Sequence, residues 1–241
     1  MIKWLILVFC GFKIFNLTAQ SKITVYCVHG QGSDIRLFDS LRLDTNYSLQ
    51  FIQYATPPKN ATMQSFAREL IQQIDTTKPF VLAGVSLGGM LCVEMQEMVH
   101  PQKTILISSV TNRKELPFRY RFQRVIPLYA IFPGRMILGG AKMLQPIVEP
   151  DRKHNKETFK KMLRAKNPVY MKRTVRLIIR WERKIAPEGI IRIHGTNDHT
   201  LPYRKIKKVD YTINSGSHMM TLTRAKEVSE AMNMALSKTD G

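Results

Sequence analysis

Gly84-Val85-Ser86-Leu87-Gly88-Gly89 is the stretch whose reading decides the fold. An apolar run, Pro79-Phe80-Val81-Leu82-Ala83, precedes it and reads as a buried strand. Met90 to Val99 follows and reads as a helix. A glycine-flanked serine between a strand and a helix must sit on a tight, strained turn. Gly84 and Gly88 lack Cβ atoms, so strand and helix can approach closely while the serine hydroxyl projects outward. The helix N-terminus leaves the Leu87 amide without an intrahelical partner beside that hydroxyl. An alkoxide attacking a carbonyl creates an oxyanion, and such an amide can receive it.

Working outward, the strand-and-helix alternation covers most of the chain. Ile23 to Val28 is a strong β run ending in the glycine-rich turn His29-Gly30-Gln31-Gly32-Ser33. A short helix is expected over Ile35 to Leu41 and a strand over Leu49 to Tyr54. Thr62 is placed to cap a helix to about Asp75, with Met63, Phe66, Ala67, Leu70 and Ile74 at helical spacing. Thr104 to Ser108 is another buried strand, Gly189 to His194 a further one, and Val209 to Ile213 a weaker one. Met219 to Leu236 reads as the closing helix. This order predicts an α/β fold, a mostly parallel sheet with helices on both faces. Ligands then bind outside the carboxyl ends of the strands, where Gln31, Ser86, Asp198 and His218 all fall.

The alternation stops from about 111 to 187, where we read an inserted cap of two or more helices. Met162 to Lys184 is expected to be amphipathic, with Leu177, Ile178 and Trp181 on its apolar side. Phe118, Tyr120, Phe122, Leu128, Ile131, Phe132, Met136 and Met143 are interleaved with charge. Arg113 to Lys184 holds 20 basic and 5 acidic residues, +15 of the chain's net +19. Such a field favours an anionic membrane surface or an acidic acyl carrier as partner. No zinc-finger spacing or RNA-binding signature accompanies it, which argues against nucleic acid.

At 241 residues the chain fits one domain, over 21–241, with this insertion. Residues 1–20 have a basic start, an apolar stretch and a polar end near Ala19, as a secretory signal peptide has. Export to the periplasm or the medium is therefore expected; an uncleaved N-terminus would instead leave the protein cytoplasmic or on a membrane surface. Cys10, Cys27 and Cys92 make no disulfide framework, and the last two read as small core residues.

Serine is a weak nucleophile that needs a base, and the base needs an orienting acid. Gly195-Thr196-Asn197-Asp198 follows one strand, and Asn214-Ser215-Gly216-Ser217-His218 follows the last. Asp210 is the rival acid, but it begins a strand and so falls at the wrong end of the sheet. His29 and His194 read as turn-fixing, His199 as a solvated loop residue, and His100 and His154 as surface. No two histidines have metal-ligand spacing, so neither metal nor cofactor is expected.

With its elbow, its HGQG turn, its HGTND strand end and its GSH turn, the chain resembles the α/β-hydrolase superfamily from about Ile23 to Leu236, outside the insertion. The resemblance implies Ser86 as nucleophile, His218 as base and then acid, and Asp198 as its orienter. It implies the backbone amides of Leu87 and Gln31 as the oxyanion hole. The expected activity is hydrolysis of a small ester or acyl substrate, carboxylic ester or thioester, in the manner of a carboxylesterase or lipase. A peptidase or acyltransferase uses the same elbow, and a non-catalytic binder of anionic surfaces is the reading from a different class.

Overall fold

The computed structural model describes residues 22–238, so the signal-peptide reading and Cys10 lie outside the described residues. Six strands form one sheet in the order β2-β1-β3-β4-β5-β6: β1 (Ile23–Val28), β2 (Tyr47–Ile52), β3 (Phe80–Val85), β4 (Lys103–Ile107), β5 (Ile190–Gly195) and β6 (Tyr211–Ile213). Every pairing is parallel. The strand order reverses between β1 and β3, and such a switch point opens a crevice at the carboxyl ends.

The helices are α1 (Met63–Leu70), α2 (Leu87–Val99), α3 (Phe118–Phe122), α4 (Leu128–Ile131), α5 (Gly134–Val148), α6 (Lys156–Arg164), α7 (Pro168–Arg180), α8 (Met220–Thr223) and α9 (Ala225–Ser237). Two apolar cores lie on the two faces of the sheet. One joins Tyr26, Leu82 and Leu106 to α1 and α2; the other joins Val25, Val81, Ile105 and Ile193 to α8 and α9. The alternation of inward residues along each strand is thus used twice, once per face.

Several boundaries differ from the sequence reading. The expected helix at Ile35 is one 3-10 turn, Ile35–Phe38. The second strand begins and ends two residues earlier than expected. Thr62 does cap α1, reciprocally with Ser65, but the α-helix gives way to a 3-10 turn after Leu70. The single amphipathic helix expected from Met162 breaks into α6 and α7. Asn167 accepts a hydrogen bond from the Tyr170 amide at 2.7 Å, and Pro168 takes the first helical position. Asn before Pro is a start signal, and Pro disfavours helix in the residue ahead of it. The closing helix likewise breaks at Arg224, whose φ of −131° and ψ of 40° are not helical.

Five α-helices, α3 to α7, occupy the chain between β4 and β5. Two buried ion pairs hold its ends to the sheet and α2. At the entry, Arg192 on β5 donates to Glu115 Oε1 at 2.7 Å and to Thr111, whose amide donates to Glu115 Oε2 at 2.9 Å. At the exit, Glu94 on α2 accepts from Trp181 Nε1 at 2.7 Å and from Arg183 Nε at 2.8 Å. Glu94 is almost wholly buried, so these donors replace the water it has lost.

Arg183→Met is therefore expected to lower stability by roughly 3 kcal/mol, because it strands most of the Glu94 charge in the core. Glu94→Gln combined with Arg183→Met is expected to recover most of that loss, since no charge is then left buried and Trp181 Nε1 keeps its acceptor. Urea unfolding of the two variants checks both.

Candidate active site

Ser86 stands between β3 and α2 at φ 54° and ψ −119°, a strained conformation for a residue with a side chain. The surroundings impose it. Its amide donates to the Ile107 carbonyl at 3.1 Å, and its carbonyl accepts from Ser109 Oγ at 2.7 Å. A Cβ on Gly88 would lie 2.0 Å from the Val28 carbonyl oxygen, and one on Gly84 would lie 2.5 Å from the Gly88 carbonyl oxygen. Only glycine lets α2 pack this tightly on β1 and β3.

Asp198 and His218 reach Ser86 from the ends of β5 and β6. The two loops are locked together: the Thr196 amide donates to the Ile213 carbonyl and the Asn197 amide to the Gly216 carbonyl, at 3.1 and 3.0 Å. His218 Nε2 lies 2.8 Å from Ser86 Oγ, and His218 Nδ1 lies 2.8 Å from Asp198 Oδ2. An ionised carboxylate only accepts, so Nδ1 carries the hydrogen and Nε2 is left to accept from the serine hydroxyl. The structure thus brings together the three side chains that sequence reasoning singled out.

Asp198 is fully provided with donors. Its Oδ1 accepts from the amides of Thr200 and Leu201 at 2.8 and 2.7 Å, and His194 Nε2 lies 3.3 Å from Oδ2. Burial alone would raise its pKa, but the His218 charge and the bonds from His194 and His218 hold it well below the usual carboxylate range. For His218, burial disfavours the imidazolium, yet the charge of Asp198 and its hydrogen bond outweigh that and raise the pKa. Asp210 sits elsewhere, accepting from the Arg192 amide at 2.9 Å.

Gln31 follows β1, the strand beside β3, and lines the same cavity as Ser86. A Cβ on Gly30 would lie 3.1 Å from Ser86 Cβ, so this loop packs directly on the serine. The Gln31 side chain donates to Thr174 Oγ1 on α7 at 2.9 Å. The backbone amides of Gln31 and Leu87 have no acceptor among the described residues. His29 bonds within its own turn, to the Gly30 carbonyl at 3.0 Å, and stacks on Tyr54. His199 is an exposed loop residue, as expected, and it also borders the cavity, bonding to the Ile147 carbonyl and to Asn197.

The cavity over Ser86 has a volume of about 440 Å³. Its apolar walls include Met90, Leu144, Phe159, Met162, Met171 and Ile178, several of them from α5 to α7. Most of the apolar residues that the sequence marked in the insertion do not line it. Phe118, Ile131 and Met143 are 69%, 72% and 73% exposed on the outside. Among the described residues, no group of three or more His, Cys, Asp and Glu side chains is arranged to hold a metal ion.

Glu149, at the end of α5, was not singled out from the sequence. Its Oε2 accepts from Ser217 Oγ at 2.7 Å and from the Met219 amide at 3.1 Å, on both sides of His218. Burial pushes its pKa up to about 7, against the lowering effect of His218 and these two donors. A lone Glu in a basic stretch carries no signal of this; only the fold brings it to the histidine loop.

The profile of the alpha/beta hydrolase family matches residues 14–231, and the chain belongs to that family. No functionally curated protein matches the sequence. Among solved structures, an esterase from Thermogutta terrifontis is 18% identical with a TM-score of 0.65, covering 90% of each chain. The enol-lactonase from Burkholderia xenovorans is 12% identical with a TM-score of 0.71, covering 90% of this chain and 92% of its own. A lipase-esterase related protein from Clostridium acetobutylicum is 15% identical with a TM-score of 0.63, covering 89% and 95%. At these identities the likeness is one of fold.

Glu149 sets a pH dependence of stability. Its folded pKa lies above the ordinary 4.5, so between pH 4.5 and 7 the folded protein keeps a proton that the unfolded chain has lost. Stability from this group is full below pH 4.5 and is lost as pH rises through 7, by roughly 3 kcal/mol. Glu149→Gln keeps an acceptor for Ser217 and Met219 without the charge. It is expected to match the parent at pH 4.5 and to be the more stable protein at pH 8, measured by urea unfolding at both values.

Proposed function

We propose that this alpha/beta hydrolase cleaves a carboxylic ester or thioester through an acyl-enzyme on Ser86. The observation that carries the reading is the relay Ser86–His218–Asp198, two contacts of 2.8 Å on the floor of a largely apolar cavity. In the first half-reaction the Ser86 oxygen bonds to the substrate carbonyl carbon while His218 Nε2 takes the hydroxyl proton. Asp198 stabilises the imidazolium that forms. The amides of Leu87 and Gln31 receive the charge on the carbonyl oxygen. His218 then returns the proton to the departing alcohol or thiol. In the second half-reaction water repeats the sequence and frees the acid. Free amides at those two positions support the oxyanion assignment, because a donor already engaged could not serve it.

The cavity volume suits a small or medium acyl group, and its apolar walls favour a hydrocarbon one. A peptidase or acyltransferase would use the same relay and differ in leaving group or acceptor. A purely binding role would have no use for a base held by an acid against a serine.

A second partner is favoured by one observation. Phe118, Phe122, Val125, Ile131, Phe132 and Met136 are exposed within a segment of high positive charge. Apolar side chains beside Lys and Arg are the composition that anionic membrane surfaces attract. Sedimentation with phosphatidylglycerol vesicles but not phosphatidylcholine vesicles, weakened by salt and by Ile131→Asp, is the expected result.

The central test is hydrolysis of p-nitrophenyl esters of increasing chain length by the parent and by Ser86→Ala. Ser86→Ala is expected to lose roughly 10⁴-fold or more in kcat. A folded parent that neither hydrolyses the panel nor reacts with a fluorophosphonate would overturn the reading. The base must be neutral to accept a proton, so kcat/KM is expected to fall on acidification with a midpoint above 6.5, the ordinary histidine value. A rate that does not fall on acidification would contradict the assignment of His218.

A further inference from the structure

A second concavity, of about 370 Å³, opens beside the serine cavity between α5 and α6. Gln145 and Leu163 line both cavities, so the two adjoin along that wall. The serine cavity carries one cation, Arg119, in its lining, whereas the second hollow gathers five around lysine and arginine stems and Pro146. The second concavity is lined by Lys142, Arg152, Lys156, Lys160 and Arg164. Lys156, Lys160 and Arg164 recur every four residues and so form one ridge of α6. The adjoining face of α6 buries Phe159, Met162 and Leu163. Packing thus fixes which way the cationic ridge faces.

Five cations around one hollow repel one another, and like charges four apart on a helix work against it. The neighbouring acids do not cancel this. Glu157 pairs with Lys160 at 2.8 Å, while Lys142, Arg152, Lys156 and Arg164 have no carboxylate partner within 4.0 Å among the described residues. Arg152 donates only to the Glu149 carbonyl, at 3.4 Å. An anion in the hollow would relieve the repulsion and gain several charge-assisted hydrogen bonds at once. Lys142, Lys156 and Arg164 are exposed at the rim, open to an anion that arrives from solvent.

We propose that this hollow is an anion subsite, and that the substrate is a soluble ester or thioester carrying a phosphate or carboxylate group away from the scissile bond. The inference rests on the hydrolase reading for the reaction, though not for the subsite. The apolar cavity takes the hydrocarbon part next to Ser86; the anionic group passes the wall of Gln145 and Leu163 and meets Lys156 and Arg164.

Mono-4-nitrophenyl esters of linear dicarboxylic acids, from adipate to sebacate, are compared with 4-nitrophenyl hexanoate to decanoate of the same lengths. The parent is expected to show a KM about tenfold lower for the anionic ester at the length that spans the wall, with the advantage shrinking as salt is added. Lys156→Glu combined with Arg164→Glu is expected to abolish that advantage while leaving the neutral esters unchanged, which also shows that the variant folds. Equal KM values for the paired esters at every length, in the parent, would overturn the proposal. So would competition by phosphatidylglycerol vesicles that persists in Ile131→Asp while inorganic phosphate does not compete, because the hollow itself would then serve a bilayer and not a soluble substrate. If neither ester series is turned over and no fluorophosphonate adduct forms, the hydrolase reading fails by itself. Calorimetric titration with inorganic phosphate then decides the subsite: binding in the parent that is lost in the double variant supports it, and no binding in the parent overturns it.

Discussion

The rest of the structure depends on a contact with no side chain in it. The Gly88 α-carbon packs so close to the end of β1 that an added methyl would meet the Val28 carbonyl oxygen at 2.0 Å. Gly84 and Gly89 make comparable approaches to Gly88 and to Ser109. These approaches pull α2 down onto β1, β3 and β4 and twist the backbone at Ser86. Overpacking here would push the helix off the sheet and release the strain that presents the hydroxyl. The same closeness lays the loop after β1 on the serine, so that Gln31 lines one cavity with it.

Two buried carboxylates near His218 show how environment divides like groups. Asp198 takes bonds from two amides and a histidine, with a second histidine beside it, and stays ionised to low pH. Glu149 has two donors on one oxygen and a comparable loss of water, and its pKa rises. With burial similar, the His218 charge in direct contact and the extra donors lower Asp198, whereas Glu149 has no bond to His218 and is raised further by the Asp198 charge. One carboxylate can then carry a fixed charge behind the imidazole while the other titrates near neutrality.

The helices between β4 and β5 are held at their ends and cationic in their middle. Arg192 with Glu115 and Arg183 with Glu94 fix where the segment leaves and rejoins the body. Between those points its inward side chains wall the serine cavity, and its outward ones are apolar or cationic. A net charge shows that the segment is basic, but not which cations share a hollow; that follows from α6 burying Phe159, Met162 and Leu163.

The sequence by itself determined the parallel α/β arrangement, because buried strands read as unbroken apolar runs and glycine marks close approach. It determined Ser86, Asp198 and His218 as candidates too, since each follows a strand in a turn of recognisable composition. The interior of the insertion was legible only as helical and basic. The break at Asn167-Pro168 was written locally yet was overridden in the reading by the amphipathic period around it. Which apolar residues face the cavity depended on how α5 to α7 pack, and periodicity names a face without saying what it meets. Glu149, the Gln31–Thr174 bond and the hollow lined by Lys156 and Arg164 were decided only by the tertiary structure. The first two join residues far apart in the chain and the hollow joins two helices, and a local pattern carries no information about a partner that is brought near by folding alone.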